Sequence, residues 1–173
     1  MIKYEINIDK KSINNSERFI LGNINKKNLF IVGLNPSTAD AIKPDLTLKK
    51  VIKFAEQNNY DGFVMLNLYP KRATLPKDLP EIDSEKLVAE NIKQISSILE
   101  EYKGADILAS WGETVEIRDY LKTSIAKIKE LGQKYNCNWY KIGELTKSGH
   151  PRHPSRISYD TKFTKFDIEN YKI

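Results

Sequence analysis

A three-layer α/β/α domain with a four-stranded, mostly parallel sheet and an N-terminal β-hairpin is expected from three features of this 173-residue sequence. Short, mainly apolar runs at 29–32, 63–69 and 105–110 read as strands buried on both faces, as in a parallel sheet. Amphipathic stretches at helical spacing lie between them, so strands and helices alternate as βαβ units do. Each run ends in a turn of unusual composition, and in a parallel sheet such turns share one edge, where ligands bind.

Ile2, Tyr4, Ile6 and Ile8 alternate with polar residues and predict a half-buried strand. Asn14-Asn15-Ser16 is a turn, from which Arg18 to Ile24 returns to close a hairpin. Residues 1–28 are thus an extension of one domain spanning 1–173. In the central strand, Leu29 to Val32, Gly33 admits a close backbone approach and Pro36 ends the extended run. Pro44-Asp45 opens a helix, with Asp45 placed to cap it. Leu48, Val51, Ile52 and Ala55 share its inner face, and Asn58-Asn59 ends it. The strand at 63–69 runs into Pro70-Lys71-Arg72-Ala73-Thr74. Asp83 or Ser84 caps a longer helix with Val88, Ile92, Ile95, Leu99 and Tyr102 on one stripe. After the strand at 105–110 and Trp111-Gly112 comes a helix with Ile117, Leu121, Ile125, Ile128 and Leu131 inward and Gly132 as its stop. Asn138 to Ile142 is a fourth strand, followed by a tail with Phe163, Phe166 and Ile168.

Hydrophobic residues make up 40% and charged residues 29%, the composition of a folded soluble chain. No apolar run approaches the roughly 20 residues of a membrane helix. The N-terminus lacks the apolar core of a signal peptide, so a cytoplasmic location is expected. A single Cys137 excludes a disulfide framework and any Cys-ligated zinc or iron–sulfur site. It also starts a strand with no base beside it, which argues against thiol catalysis. A formal charge of +5 and a pI near 9.1 permit a nucleic-acid partner. The lysines suit solvated helix faces. Arg72, Arg152 and Arg156, in contrast, sit in or beside the polar turns, where a planar fork grips phosphate.

Four turns converge on one sheet edge: Asn35-Pro36-Ser37, Asn67 through Arg72, Trp111-Gly112, and His150 through Arg156. The last holds the only two histidines, His150 and His153. Gly-x-Gly-x-x-Gly, Walker and Gly-x-Ser-x-Gly patterns are absent. Two His separated by Pro-Arg in a loop are a weak ligand pattern, so neither metal nor cofactor is expected. An inventory of Asn, His, Ser, Arg and aromatics with little acid fits cleavage of an N-glycosidic bond to a base. That reaction needs a group to place water, a donor to the base oxygen that gains charge, and an amide to read the base edge. Asn35 can position the water, His153 can donate, and Asn67 can pair with a pyrimidine edge.

Gly33-Leu34-Asn35-Pro36-Ser37-Thr38-Ala39-Asp40, Asp45-x-Thr47, the block from Asn67 to Thr74, Trp111-Gly112 and Gly149-His150-Pro151-Arg152-His153-Pro154 resemble the blocks of DUF1643, an uncharacterised bacterial and phage family. The resemblance covers most of residues 19 to 157. More distantly, the same blocks resemble the uracil-DNA glycosylase superfamily. Gly33-Leu34-Asn35-Pro36 is similar to its first motif, where an Asp or Asn orients the attacking water. Val64-Met65-Leu66-Asn67 is similar to the strand whose final Asn reads the base. His153-Pro154-Ser155-Arg156-Ile157-Ser158 is similar to the motif whose His faces the leaving base, with Ile157 at the position that wedges into the DNA stack. This resemblance implies a four-stranded parallel sheet between helices. Residue 35 is Asn, as in the mismatch-specific branch, so Asp40 or Asp45 is left to supply a carboxylate. The stacking aromatic and the iron–sulfur cysteines of other branches are missing.

The expectation is therefore a monomeric, metal-free enzyme that hydrolyses the N-glycosidic bond of a uracil-like or modified pyrimidine in DNA. Asn35, His153 and Asp40 would be catalytic. Gly33, Leu34, Pro36, Ser37, Asn67, Tyr69, Trp111, His150 and Ser155 would bind substrate, and Arg72, Arg152, Arg156 and Ile157 the nucleic acid. The alternatives are a non-catalytic nucleic-acid or nucleotide binding module on the same fold, and an enzyme acting on free nucleosides or nucleotides.

Overall fold

The computed structural model describes residues 1–37 and 42–172. Asp40 lies outside the described residues. The described residues form one mixed sheet of seven strands: β1 (Ile8–Lys11), β2 (Arg18–Asn23), β3 (Asn28–Gly33), β4 (Gly62–Asn67), β5 (Asp106–Ala109), β6 (Asn138–Ile142) and β7 (Phe163–Lys165). Their order is β1-β2-β4-β3-β5-β6-β7. The expected four-stranded sheet is only its centre, because just β4, β3, β5 and β6 run parallel.

The hairpin is an integral edge of the sheet: β2 pairs antiparallel with β4, setting Leu21 opposite Met65. The reason is burial. Every residue of β2 is buried, so the strand needs cover on both faces and a partner on its inner edge. At the opposite edge β7 pairs antiparallel with β6, and Phe163 stacks on Tyr140 at 4.7 Å. The ladder at the N-terminus starts only at Ile8. The alternation of Ile2, Tyr4 and Ile6 reflects one-sided packing on the core, which needs no strand partner.

Three α-helices are described: α1 (Leu46–Gln57), α2 (Glu85–Glu101) and α3 (Asp119–Lys134). Asp45 caps α1 by accepting from the Leu48 N–H at 2.8 Å, and Ser84, one of the two candidates, caps α2 through Leu87. Ile117 lies outside α3, in a one-turn 3₁₀ helix (Glu113–Ile117), and is partly exposed. Gly132 does not stop α3. It gives the Trp139 indole room, since a Cβ there would sit 2.8 Å from Nε1. The chain turns instead beyond Tyr135, at Asn136 with φ of 57°.

Helices cover both faces. Leu48, Val51 and Phe54 of α1 pack with Leu29, Ile31, Phe63, Met65 and Leu108 on one face. Val88, Ile95 and Leu99 of α2 and Leu121, Ile125 and Ile128 of α3 pack with Phe30, Val32, Val64, Leu66 and Ile107 on the other. No described helix is long and apolar enough to cross a membrane.

Candidate functional site

The parallel strands end in register, and that sets the floor of a cleft of about 340 Å³. Gly33 pairs with Asn67 across β3 and β4, while Val32 pairs with Ala109 across β3 and β5. Asn67, Gly33 and Ser110 therefore form one row, with Met65, Ile31 and Leu108 two residues earlier. In-register residues of a parallel sheet point to the same face. Because the apolar row packs with α1, the cleft lies on the α1 side of the sheet. Apolar walls come from Ile31, Leu34, Met65, Pro76, Pro154 and Ile157.

Asn67 is 3% exposed. Its backbone carbonyl accepts from the Asn91 amide of α2 at 2.9 Å, but its own carboxamide makes no hydrogen bond among the described residues. Left unpaired by the protein, its donor and acceptor are open to the cleft that Asn67 lines. Gly33 makes the space it occupies: a Cβ at residue 33 would lie 3.0 Å from Asn67 Oδ1.

The first two turns are laced together. Leu68 N–H donates to the Gly33 carbonyl at 2.9 Å, Tyr69 N–H to Leu34 at 3.1 Å and Ala73 N–H to Pro36 at 3.0 Å. Asn35 is half-buried, and its amide group donates to the carbonyls of Pro36 and Ala73, both at 2.9 Å. Two carbonyl partners identify that atom as nitrogen and use both of its hydrogens. What Asn35 offers the cleft is its carbonyl oxygen, an acceptor.

The last turn brings His153 over the cleft. Gly112, with φ of 70°, adopts a conformation that favours glycine, and a Cβ there would meet His153 Cβ at 3.2 Å. The Gly112 N–H donates to the Pro151 carbonyl at 3.0 Å, joining the Trp111-Gly112 turn to the His153 loop. His153 Nδ1 lies 2.7 Å from Ser155 Oγ and accepts from the Ser155 N–H. With Nδ1 as acceptor, the neutral ring carries its proton on Nε2. Burial pushes the imidazole below its ordinary pKa, the Arg156 guanidinium pushes the same way, and Asp45 opposes them. The ring is thus held as a neutral Nε2–H donor.

Several expected site residues lie elsewhere. His150 is 2% exposed and off the cleft. Its Nε2 meets Glu116 Oε1 at 2.8 Å and its Nδ1 meets the Tyr171 hydroxyl, which also accepts from Trp111 Nε1 at 3.1 Å. Both ring nitrogens are committed, which leaves nothing for a substrate. Tyr69 is core, packed 4.8 Å from Tyr120, with its hydroxyl accepting from the Ser84 N–H. Pro36 is buried and does not line the cleft. Arg72 serves the framework: its guanidinium donates to the Ser37 carbonyl at 2.8 Å and to Asn15 Oδ1 at 3.0 Å, tying the hairpin turn to the Ser37 loop. Ile157 touches the cleft but is 6% exposed and seated in the α1-side core, and its carbonyl accepts from Lys50 Nζ. A wedge must stand out from the surface, so Ile157 does not have that geometry. Leu34, Ser37, Ser155, Arg152 and Arg156 do line the cleft, as does Trp111, whose indole is otherwise core. Arg152 and Arg156 are exposed, and the Arg152 Nε–H donates to the Glu144 carbonyl at 2.8 Å.

The model of a family described as "Protein of unknown function (DUF1643)" matches residues 18–155. The chain belongs to the DUF1643 family. No curated protein and no solved structure matches it. The family match runs from β2 into the His153 loop and includes every described cleft-lining residue except Arg156 and Ile157.

Among the contributors that sequence reading missed within the matched region are Ser110, Asn91 and Glu113. Ser110 is 2% exposed, lines the cleft, and its hydroxyl has no partner among the described residues. Asn91 holds the end of β4 from α2. A polar residue among Val88, Ile92 and Ile95 on a helix face was the available signal for it. Glu113 is the one carboxylate on the cleft wall among the described residues, and it accepts from the Ser148 hydroxyl at 3.2 Å. Cys137 is off the cleft, with its thiol pushed up to about 11 by burial, so it is no nucleophile at neutral pH. No group of three or more His, Cys, Asp or Glu among the described residues is arranged to hold a metal ion.

Proposed function

We propose that the cleft takes a uracil-like or modified pyrimidine in DNA and hydrolyses its N-glycosidic bond. The observation that carries this reading is the Asn67 carboxamide, buried on the cleft floor with no described partner. One donor and one acceptor side by side match the N–H and C=O of a pyrimidine edge. Asn35 supplies a carbonyl oxygen that orients a water toward the anomeric carbon. As the C1′–N bond breaks, its electron pair leaves with the base, and His153 Nε2–H donates to the base oxygen that gains this charge. The water's proton passes to solvent. Arg152 and Arg156, exposed at the rim, contact phosphates.

The test is base release from single- and double-stranded DNA carrying uracil, 5-hydroxymethyluracil or other modified pyrimidines, read as alkali-induced strand breaks. Breaks that disappear in Asn67→Ala and His153→Ala support the reading. No breaks on any substrate, with DNA retained in a gel shift, would overturn it in favour of a binding module.

A second reading, action on free nucleosides or nucleotides, is favoured by the burial of Ile157. Extrusion of a base from a duplex costs a few kcal/mol that a free nucleoside does not require. Base release from nucleosides with intact DNA would select it.

A further inference from the structure

Asn67 is not the only polar group sunk into the cleft floor without a partner. Ser110 follows β5 directly, and its N–H donates to the Val32 carbonyl at 2.9 Å, which continues the β3–β5 ladder by one residue. Gly33 therefore has Asn67 on one side and Ser110 on the other, in one row and on one face. Strand spacing of about 4.8 Å puts the two flanking Cα atoms about 10 Å apart with a glycine gap between them. The Ser110 hydroxyl is as deeply buried as Asn67 and has no hydrogen bond among the described residues. A hydroxyl at a strand end ordinarily turns onto a neighbouring carbonyl or reaches water. Two such groups flanking the one residue without a side chain are explained together if a single ligand lies in the cleft and bonds to both.

We infer that Ser110 is a specificity-determining residue of the cleft, which reads a second edge of the planar base whose first edge is read by Asn67. The inference rests on the base-binding reading above and adds to it a substrate class. The ligand is a flat heterocycle with hydrogen-bonding atoms on two edges, lying in the cleft between Asn67 and Ser110. Because a hydroxyl both donates and accepts, Ser110 tolerates a carbonyl, an amino or a hydroxyl substituent and rejects an apolar one. A plain hydrocarbon substituent at that edge would leave the serine oxygen unpaired when solvent is driven out.

The experiment is calorimetric titration of the full chain with free uracil, thymine, cytosine and 5-hydroxymethyluracil, alongside thermal melting of the ligand-free protein. Ser110→Ala is expected to weaken the preferred base about tenfold, the value of one hydrogen bond. It is also expected to compress the spread of affinities across the four bases, and to melt no lower than the parent, since it removes a buried unpaired hydroxyl. Ser110→Cys keeps the shape and a weak donor and should fall between the two. Equal affinities in the parent and both variants would overturn the role of Ser110 while leaving base binding intact. A lower melting temperature with all four bases weakened alike would make Ser110 a packing residue and overturn the inference as well. If the parent binds none of the four bases, the base-binding reading itself fails, and the inference with it.

Discussion

Gly33 and Asn67 stand directly opposite each other in the β3–β4 ladder, and the Asn67 carboxamide oxygen lies 3.0 Å from where a Cβ on residue 33 would be. Side-chain volume at position 33 therefore acts on the amide orientation, separately from the fold. Gly33 has no positive φ, so alanine brings no backbone strain there. Gly33→Ala is expected to leave the urea midpoint unchanged or slightly raised, since glycine in a strand costs about 0.5–1 kcal/mol relative to alanine. Base release should fall on the order of 100-fold, the scale of a misplaced contact group. A variant with normal activity would show that Asn67 does not work from its observed position.

The depressed pKa of His153 has a defined sign in stability. At pH values below the ordinary histidine range the unfolded chain binds a proton that the folded chain refuses. The stability associated with the neutral ring is complete above about pH 6.5 and is lost as pH falls from there through the folded pKa. Urea unfolding of the parent and His153→Gln from pH 8 to pH 5 should show the parent losing more stability on acidification. Parallel curves would mean that the ring titrates normally in the fold.

The two histidines separate by the kind of damage their removal does. His150→Ala breaks a buried chain joining Glu116, Tyr171 and Trp111, and should cost about 2–4 kcal/mol in urea unfolding. His153→Ala removes a group on the cleft wall and should cost less stability but most of the base release. The reverse pattern would exchange their roles.

Arginine positions differ in the same way. Arg152→Ala and Arg156→Ala should each weaken DNA binding across sequences and lower the slope of log K against log salt by about 1. Arg72→Ala should leave that slope unchanged and destabilise the Ser37 loop, because its guanidinium holds the Ser37 carbonyl and Asn15. An unchanged slope in all three variants would remove phosphate contact from the rim.

Ile157→Ala tests burial against wedging. A side chain packed with the α1 core should cost about 2–4 kcal/mol on truncation. A wedge would cost little stability and selectively lower activity on duplex DNA.

Periodicity and turn chemistry in the sequence by themselves determined the alternation of strands and helices, the cap at Asp45, the α2 cap to within Asp83 or Ser84, and which turns meet at the cleft. These follow from rules that act over a few residues: apolar spacing, an Asp or Ser before a helix, a Gly-Pro pattern at a strand end. Tertiary structure decided the rest. Whether β2 joins the sheet depends on pairing with β4, and whether Gly132 ends a helix depends on Trp139 arriving from the next strand. His150 and His153 are alike at sequence level. One meets Tyr171 from the far C-terminus and Glu116 from a distant turn, while the other is held by Ser155 two residues away and turns to the cleft. Ser110 carries no local signal at all. Its place beside Gly33 exists only because β5 adds to β3 in register, and register is fixed by pairing between strands far apart in the chain.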